Sequence, residues 1–351
     1  MYALVPCFVT AFAITYAIIP LIIEFAKERR FYDRPNERSS HLEPTPFLGG
    51  VGIFAGTVCG IMLWTPVDGF SGLQYILAAF VLIFLIGILD DLLPISPGKK
   101  LGGQFLVAII LSYKAGVRIS SFYGFLGIHE LSQPASFILS IITIVGIINA
   151  FNLIDGINGL AGSVGLLACI VFGVCFFLVG VPALAVVAFS LAGAILAFLR
   201  YNLTPAKIFM GDTGSLLIGT VCAILSITFI ETNYKLSPDN PFVWGAAPAI
   251  ALAVLILPLY DTLSVFMRRI VRGRSPFAPD KTHIHHQLLS FGLNHTQSTG
   301  VLIAVNLLFI AVAFGFNRLG LFEVLKLEFA MAFLFSLVLI LLPRLNVRRK
   351  K

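Results

Sequence analysis

Charge is what this sequence has least of. Of 351 residues only 12% are Asp, Glu, Lys or Arg, against 58% hydrophobic, and the mean hydropathy is +0.97. A soluble core does not need that much apolar surface, so this shortage excludes an ordinary pair of soluble domains. Cysteine is also sparse. Cys7, Cys59, Cys169, Cys175 and Cys222 lie inside apolar runs without metal-type spacing, which excludes a zinc ribbon and fits small packing residues. The first stretch, Met1 to Phe25, lacks a basic leader and a small-residue cleavage site, so it is expected to be a retained helix rather than a signal peptide. No tandem repeat or low-complexity tract is visible.

What is present is one hydrophobic run after another, each near the roughly 20 residues that cross a bilayer. Hydropathy predicts an all-α polytopic membrane protein with eleven spans, near 2–25, 47–66, 73–91, 101–115, 134–151, 160–180, 183–200, 213–230, 243–267, 299–317 and 326–343. The ninth carries Pro248 and Pro258 and is expected to kink or break. The stretch 116–133, with its β-branched and aromatic residues, Gly124 and Gly127, reads as a short external β-hairpin. Hardly any sequence remains for a separate soluble domain, so 1–351 is expected to be a single membrane domain.

The basic residues set an orientation. All but five of the 24 Lys and Arg fall in alternate loops and the tail, and only Lys114, Arg118, Lys235, Arg318 and Lys326 fall in the opposite loops. By the positive-inside rule the amino terminus faces out and the carboxyl terminus faces the cytoplasm. The net charge of +7 is thereby explained without nucleic acid. Asp90, Asp91, Asp155, Asp212, Asp261, Asp280, His41, His283, His285 and His286 gather at the same cytoplasmic ends, so chemistry is expected on loops 27–46, 90–100, 149–160, 200–213 and 268–298.

Four motifs carry that chemistry. In GILDDLLPISPGKK, residues 87–100, two acids end an apolar span, at a depth where ionisable groups are costly and usually functional. Helix capping does not explain them, because capping acids belong at N-termini and these sit at a C-terminus. NAFNLIDGINGLAGS, residues 149–163, mixes amides, an acid and glycines, as a nucleobase or metal site requires, although Asn, Asp and Gly also make ordinary turns. In RYNLTPAKIFMGDTGS, residues 200–215, Asp212 is either a helix N-cap or a hard oxygen ligand for Mg²⁺. SPFAPDKTHIHHQLL, residues 275–289, sets three histidines in the most basic loop. With no HExxH spacing and no nearby cysteine, a polyanion fits better than zinc. Together these groups equip a membrane surface for phosphoryl transfer.

NAFNLIDGINGL, YNLTPAKIFMGDTGS and PDKTHIHHQLL, with the Asp90–Asp91 pair and RPNERSSHLEPTPFLGG at 34–50, closely resemble the polyprenyl-phosphate N-acetylhexosamine-1-phosphate transferases, in the family's order and from Arg34 to Gln297. The resemblance implies transfer of a sugar 1-phosphate, with GlcNAc 1-phosphate the expected group, from a UDP-N-acetylhexosamine to undecaprenyl phosphate. UMP leaves, and a cell-surface glycan such as an O-antigen or teichoic acid is initiated. It implies Mg²⁺ or Mn²⁺, a bacterial cytoplasmic membrane, and leaves a homodimer open. Carried over by position, Asp90 is the proposed base and Asp91 lies beside the metal. Asp212 and Asn158 are placed at the metal, Asn152, Asp155, Lys100 and Asn202 at the nucleotide, and His283, His285, His286 and Arg274 at the phosphates.

Many bacterial relatives have an acid where this chain has Asn158, while relatives using dolichyl phosphate have asparagine. An amide oxygen still ligates a hard cation, with a weaker hold expected. A covalent aspartyl-phosphate route stays open. Within the family the alternative is phospho-N-acetylmuramoyl-pentapeptide transfer, whose branch has three consecutive histidines where this chain reads His-Ile-His-His. From another class the rival is a flippase for lipid-linked sugars, which predicts midplane charges and inverted repeats, neither of which is visible.

Overall fold

The computed structural model describes residues 3–33, 45–66, 72–93, 95–271, 273 and 283–349. Arg274, the loop 34–44 and the residues 274–282 therefore lie outside the described residues. The chain forms two compact units, Met1–Val243 and Trp244–Lys351.

The first unit contains α1 (Leu4–Arg29), a two-residue antiparallel pair β1 (Tyr32–Asp33) and β2 (Thr45–Pro46), α2 (Gly49–Trp64), α3 (Leu73–Leu92), α4 (Pro97–Ile109, continued by a π turn over Ile110–Lys114), α5 (Gln133–Ile154), α6 (Leu160–Leu178), α7 (Pro182–Asn202) and α8 (Gly211–Lys235). Helix α8 is the core: 89% of its apolar window is buried, against 22% for α1, and α2, α3, α5 and α6 pack on it. Small residues allow the close approach, as is usual where helices meet in lipid. A Cβ on Gly50 would stand 2.2 Å from the Gly214 nitrogen, and one on Gly87 2.5 Å from the Thr213 Cα. The stretch 116–133 is a turn closed by one isolated bridge, Ser121 to Glu130, around a 3₁₀ turn at Phe125–Gly127; no strand forms there among the described residues.

The second unit contains α9 (Ala247–Val254), α10 (Ile256–Val271), α11 (Ile284–Ser290), α12 (His295–Gly315) and α13 (Leu321–Arg349). The expected break is there: α9 and α10 meet at 77°. A proline ring clashes with the carbonyl four residues earlier, and for Pro258 that residue is Val254, where α9 stops. The amide of Asn306 on α12 donates to the carbonyls of Ala253 at 2.9 Å and Val254 at 3.3 Å, satisfying groups that the break releases. Asn294 and Gln297 start α12 with a reciprocal capping box.

Each expected span falls on a helix, but not every helix is long enough to cross. Among the described residues eight helices are long and apolar enough, or nine if the bent pair counts as one span. The count of eleven is not reached because α2 has 16 residues and α4 only 13. The protein is a multi-pass membrane protein.

Candidate active site

Chain reversal brings the C-terminal ends of α3 and α5 to the N-terminal ends of α4 and α8, so motifs far apart in sequence share one end of the first unit. Backbone bonds lock the approach: Phe209 N–H donates to the Pro46 carbonyl at 2.7 Å, and Gly49 and Gly50 donate to the carbonyls of Phe209 and Met210 at 2.9 and 2.8 Å. At the start of α8, Gly211 has φ +70°, and a Cβ there would lie 2.3 Å from the Phe47 carbonyl and 2.7 Å from an Asp91 oxygen.

The two adjacent acids do different work. Asp91 accepts from the Asp212 N–H at 2.7 Å, the Thr213 N–H at 3.0 Å and the Thr213 hydroxyl at 2.5 Å. It therefore caps the N-terminus of α8, where a carboxylate meets unpaired N–H groups and the positive end of the helix dipole. Asp91 is carried at the C-terminus of α3, where it caps nothing of its own helix, and the N-terminus it caps belongs to α8. Asp212 is correspondingly not an N-cap. Its carboxylate accepts from the Asn152 amide at 2.7 Å and is bonded by the Lys100 ammonium.

Lys100 is the hub. Its Nζ also lies 3.0 Å from Asp90 Oδ2 and 3.2 Å from Asn152 Oδ1, so oxygens of Asp90, Asp212 and Asn152 converge on one cation. Burial works against its charge, but Asp212 and Asp90 outweigh that and hold its pKa above the ordinary lysine value. The other Asp90 oxygen accepts from the Ile95 N–H at 2.9 Å. Asn152 also donates to Ser215 at 3.0 Å, and Asn149 bonds Gln104 at 2.6 Å, so Ser215 and Gln104 support amides the motifs contain. Gln104 was not legible, because a glutamine in an apolar helix reads as packing, whereas Ser215 ends the 200–215 motif.

Asp155 follows the last turn of α5, and burial, then the fields of Asp212 and Asp91, push it up to about 7. The two carboxylates that bond Lys100, Asp90 and Asp212, outnumber its single positive charge. Among the described residues no three His, Cys, Asp or Glu side chains form a ready-made metal cage. The donor set nevertheless fits Mg²⁺: two carboxylates and an amide oxygen, all hard, already surround a cation position, and magnesium typically takes one or two carboxylates and completes its shell with water and phosphate.

Two assigned residues bond to neighbouring loops. Asn202, 5% exposed, accepts from the Gly159 N–H at 2.8 Å and donates to the Ile208 carbonyl at 2.9 Å, which fastens the 149–163 loop to the 200–215 loop. Both ends of its amide are occupied by backbone, which argues against a nucleotide contact. Asn158 donates to Thr204 at 3.3 Å.

In the second unit one of the histidines meets an acid that the motif did not include. Asp261 on α10, 1% exposed, lies 2.7 Å from His283 Nδ1 and accepts from the Ile284 N–H at 2.8 Å. His283 stacks on His285 with centroids 5.5 Å apart, and His285 lies 4.4 Å from His286. His285 is 2% exposed, and burial pushes its pKa down to about 3, so it is a neutral packed ring. That argues against a direct phosphate contact by His285.

Comparison with known proteins gives the family. Residues 73–230 match the model described as glycosyl transferase family 4, a stretch that holds Asp90, Lys100, Asn152 and Asp212. A decaprenyl-phosphate N-acetylglucosaminephosphotransferase of Mycobacterium leprae is 34% identical over 335 residues, covering 87% of this chain and 81% of the relative. The chain belongs to the polyprenyl-phosphate N-acetylglucosamine-1-phosphate transferase family. An undecaprenyl-phosphate alpha-N-acetylglucosaminyl 1-phosphate transferase of Haemophilus influenzae is 37% identical over 275 residues, 76% of this chain and 74% of the relative. A probable undecaprenyl-phosphate N-acetylglucosaminyl 1-phosphate transferase of Bacillus subtilis is 30% identical over 314 residues, 88% and 84% of the two chains. The family's members are membrane sugar-phosphate transferases, and a polar cluster set at the ends of apolar helices is what such an enzyme needs.

Proposed function

We propose that this protein transfers N-acetylglucosamine 1-phosphate from UDP-N-acetylglucosamine to undecaprenyl phosphate, on the cytoplasmic face of a bacterial membrane, as the initiating step of a cell-surface glycan. The observation that carries the reading is the convergence of Asp90, Asp212 and Asn152 on a single cation position, within the stretch that matches the family. Orientation rests on the basic loops, and the choice of sugar on the names of the relatives and on the His-Ile-His-His loop.

In the proposed reaction an oxygen of the lipid phosphate bonds to the phosphorus that carries the sugar. The bond from that phosphorus to the bridging oxygen breaks, and the electron pair leaves with UMP. Both reactants are anions, and at about 4 Å unscreened charges repel strongly. Asp90, Asp212 and Asn152 would hold Mg²⁺ or Mn²⁺, which supplies charge neutralisation when bound. The Lys100 ammonium, which bonds these same oxygens, would give them up to the metal and add its positive charge beside it. A phosphate monoester has a second pKa near about 6, so the lipid is already largely dianionic at neutral pH. Asp90, with both oxygens bonded, serves to place Lys100 and the cation rather than to take a proton.

The test incubates purified protein and Mg²⁺ with undecaprenyl phosphate and a panel of UDP-sugars, followed by mass spectrometry of the lipid. The expected product is undecaprenyl diphosphate N-acetylglucosamine. Product from UDP-muramoyl-pentapeptide alone would overturn the donor, and no lipid product from any sugar would overturn the reaction.

A further inference from the structure

Asp261 stands in no motif singled out from the sequence, yet it is a carboxylate only 1% exposed, with a defined task. Both oxygens are used: Oδ1 accepts the Ile284 N–H at 2.8 Å, and Oδ2 faces His283 Nδ1 at 2.7 Å. The two bonds fix consecutive residues at the start of α11, so Asp261 sets where the helix begins and how the preceding imidazole is turned. We infer that Asp261 is a positioning residue for the transferase, holding His283 through Nδ1 so that Nε2 is presented to a phosphate of the nucleotide donor.

The chemistry is that of an acid–imidazole pair. A carboxylate accepts only, so Nδ1 must carry the hydrogen of this bond, and the ring's tautomer and plane are thereby set. Nε2 is then the nitrogen turned away from Asp261. A ring that donates from both nitrogens has its positive charge balanced by Asp261, and its Nε2–H can donate to a phosphate oxygen in a charge-assisted bond. The stacked His285 ring, buried and neutral, keeps the imidazole from rotating without competing for the anion.

This inference rests on the proposed function, because it assigns His283 to the donor's phosphates. Asp261→Asn tests it with little change of shape: the amide oxygen still accepts the Ile284 N–H, while an uncharged NH₂ donor replaces the acceptor at Nδ1, so the ring can no longer donate from both nitrogens there. The expected result is a donor KM raised by about tenfold with kcat within about twofold, the pattern of lost ground-state binding. UDP itself, measured by calorimetry, should weaken by a similar factor. His283→Asn should do the same, and Asp261→Asn combined with it should be no worse than the worse single variant, since the two act as one unit.

Equal KM and UDP affinity in a folded Asp261→Asn protein would overturn the inference, as would additive losses in the double variant. An Asp261→Asn protein that loses melting temperature and active fraction, while the surviving enzyme keeps the wild-type KM, would reduce Asp261 to a structural brace. Wild-type protein inactive with every UDP-sugar would refute the proposed function instead, so the two failures are distinguishable.

Discussion

Replacing Asp91 by asparagine separates two roles that the sequence could not. The resemblance places Asp91 beside the metal, whereas the structure places it on the N-terminus of α8 with three bonds to Asp212 and Thr213. Asparagine keeps one acceptor oxygen, enough for the Asp212 N–H. Its NH₂ would then face the Thr213 N–H, donor against donor, and the charge at the helix N-terminus would be gone. A hydrogen bond to a charged group contributes about 1.5–3 kcal/mol, and a carboxylate at a partly buried helix N-terminus up to about 2 kcal/mol. The expected loss of stability is therefore about 2–4 kcal/mol.

The assay is thermal unfolding in detergent, paired with Mn²⁺ binding followed by electron paramagnetic resonance on the folded fraction. Asp91→Asn should melt earlier and still bind Mn²⁺. Asp212→Asn should lose Mn²⁺ binding with a smaller change in melting. An Asp91→Asn protein that melts like the wild type but no longer binds Mn²⁺ would refute the capping argument and restore Asp91 to the metal.

Three further outcomes are expected. Asp212→Asn should lower turnover by at least about a hundredfold, the scale for removing one preorganised charged group, and near-normal steady-state rates would remove it from the cation site. Asn202→Ala leaves the Gly159 N–H and the Ile208 carbonyl without their partner, so it should cost about 2–4 kcal/mol by thermal unfolding with the donor KM little changed; a raised KM at unchanged stability would mean a nucleotide contact. His285 has a folded pKa pushed from 6.5 down to about 3, so between those values the unfolded chain binds one more proton. Its stability contribution is complete above pH 6.5 and falls as pH drops, by up to about 1.4 kcal/mol per unit. His285→Leu should flatten the fall, and an identical pH dependence in wild type and variant would count against it.

The fold was legible where hydropathy and proline decide it. Long apolar runs mark the helices, and Pro258 marks the break after Val254, because a proline ring excludes the carbonyl four residues back. The partner that heals the break, Asn306, was not legible, since one asparagine in an apolar helix looks like any tolerated polar residue. In the site, the motifs located Asp90, Lys100, Asn152 and Asp212 because carboxylates and amides at membrane helix ends are costly without a purpose. Division of labour within the Asp90–Asp91 pair was not legible, because it depends on which helix N-terminus lies opposite. The same limit applied to Asn202, whose two backbone partners are brought together only by folding, and to Asp261, which precedes its histidine partner by 22 residues. A histidine motif in a basic loop shows that an anion is plausible, but not that burial removes His285 from the set.

The central claim is that the sugar moves with its phosphate. It is tested most directly with UDP-N-acetylglucosamine carrying ³²P in the phosphate next to the sugar, incubated with purified protein, Mg²⁺ and undecaprenyl phosphate, and then partitioned between organic and aqueous phases. The account predicts label in the lipid phase, with unlabelled UMP released in equal amount. Label remaining in the aqueous phase as UDP, with sugar alone on the lipid, would contradict it.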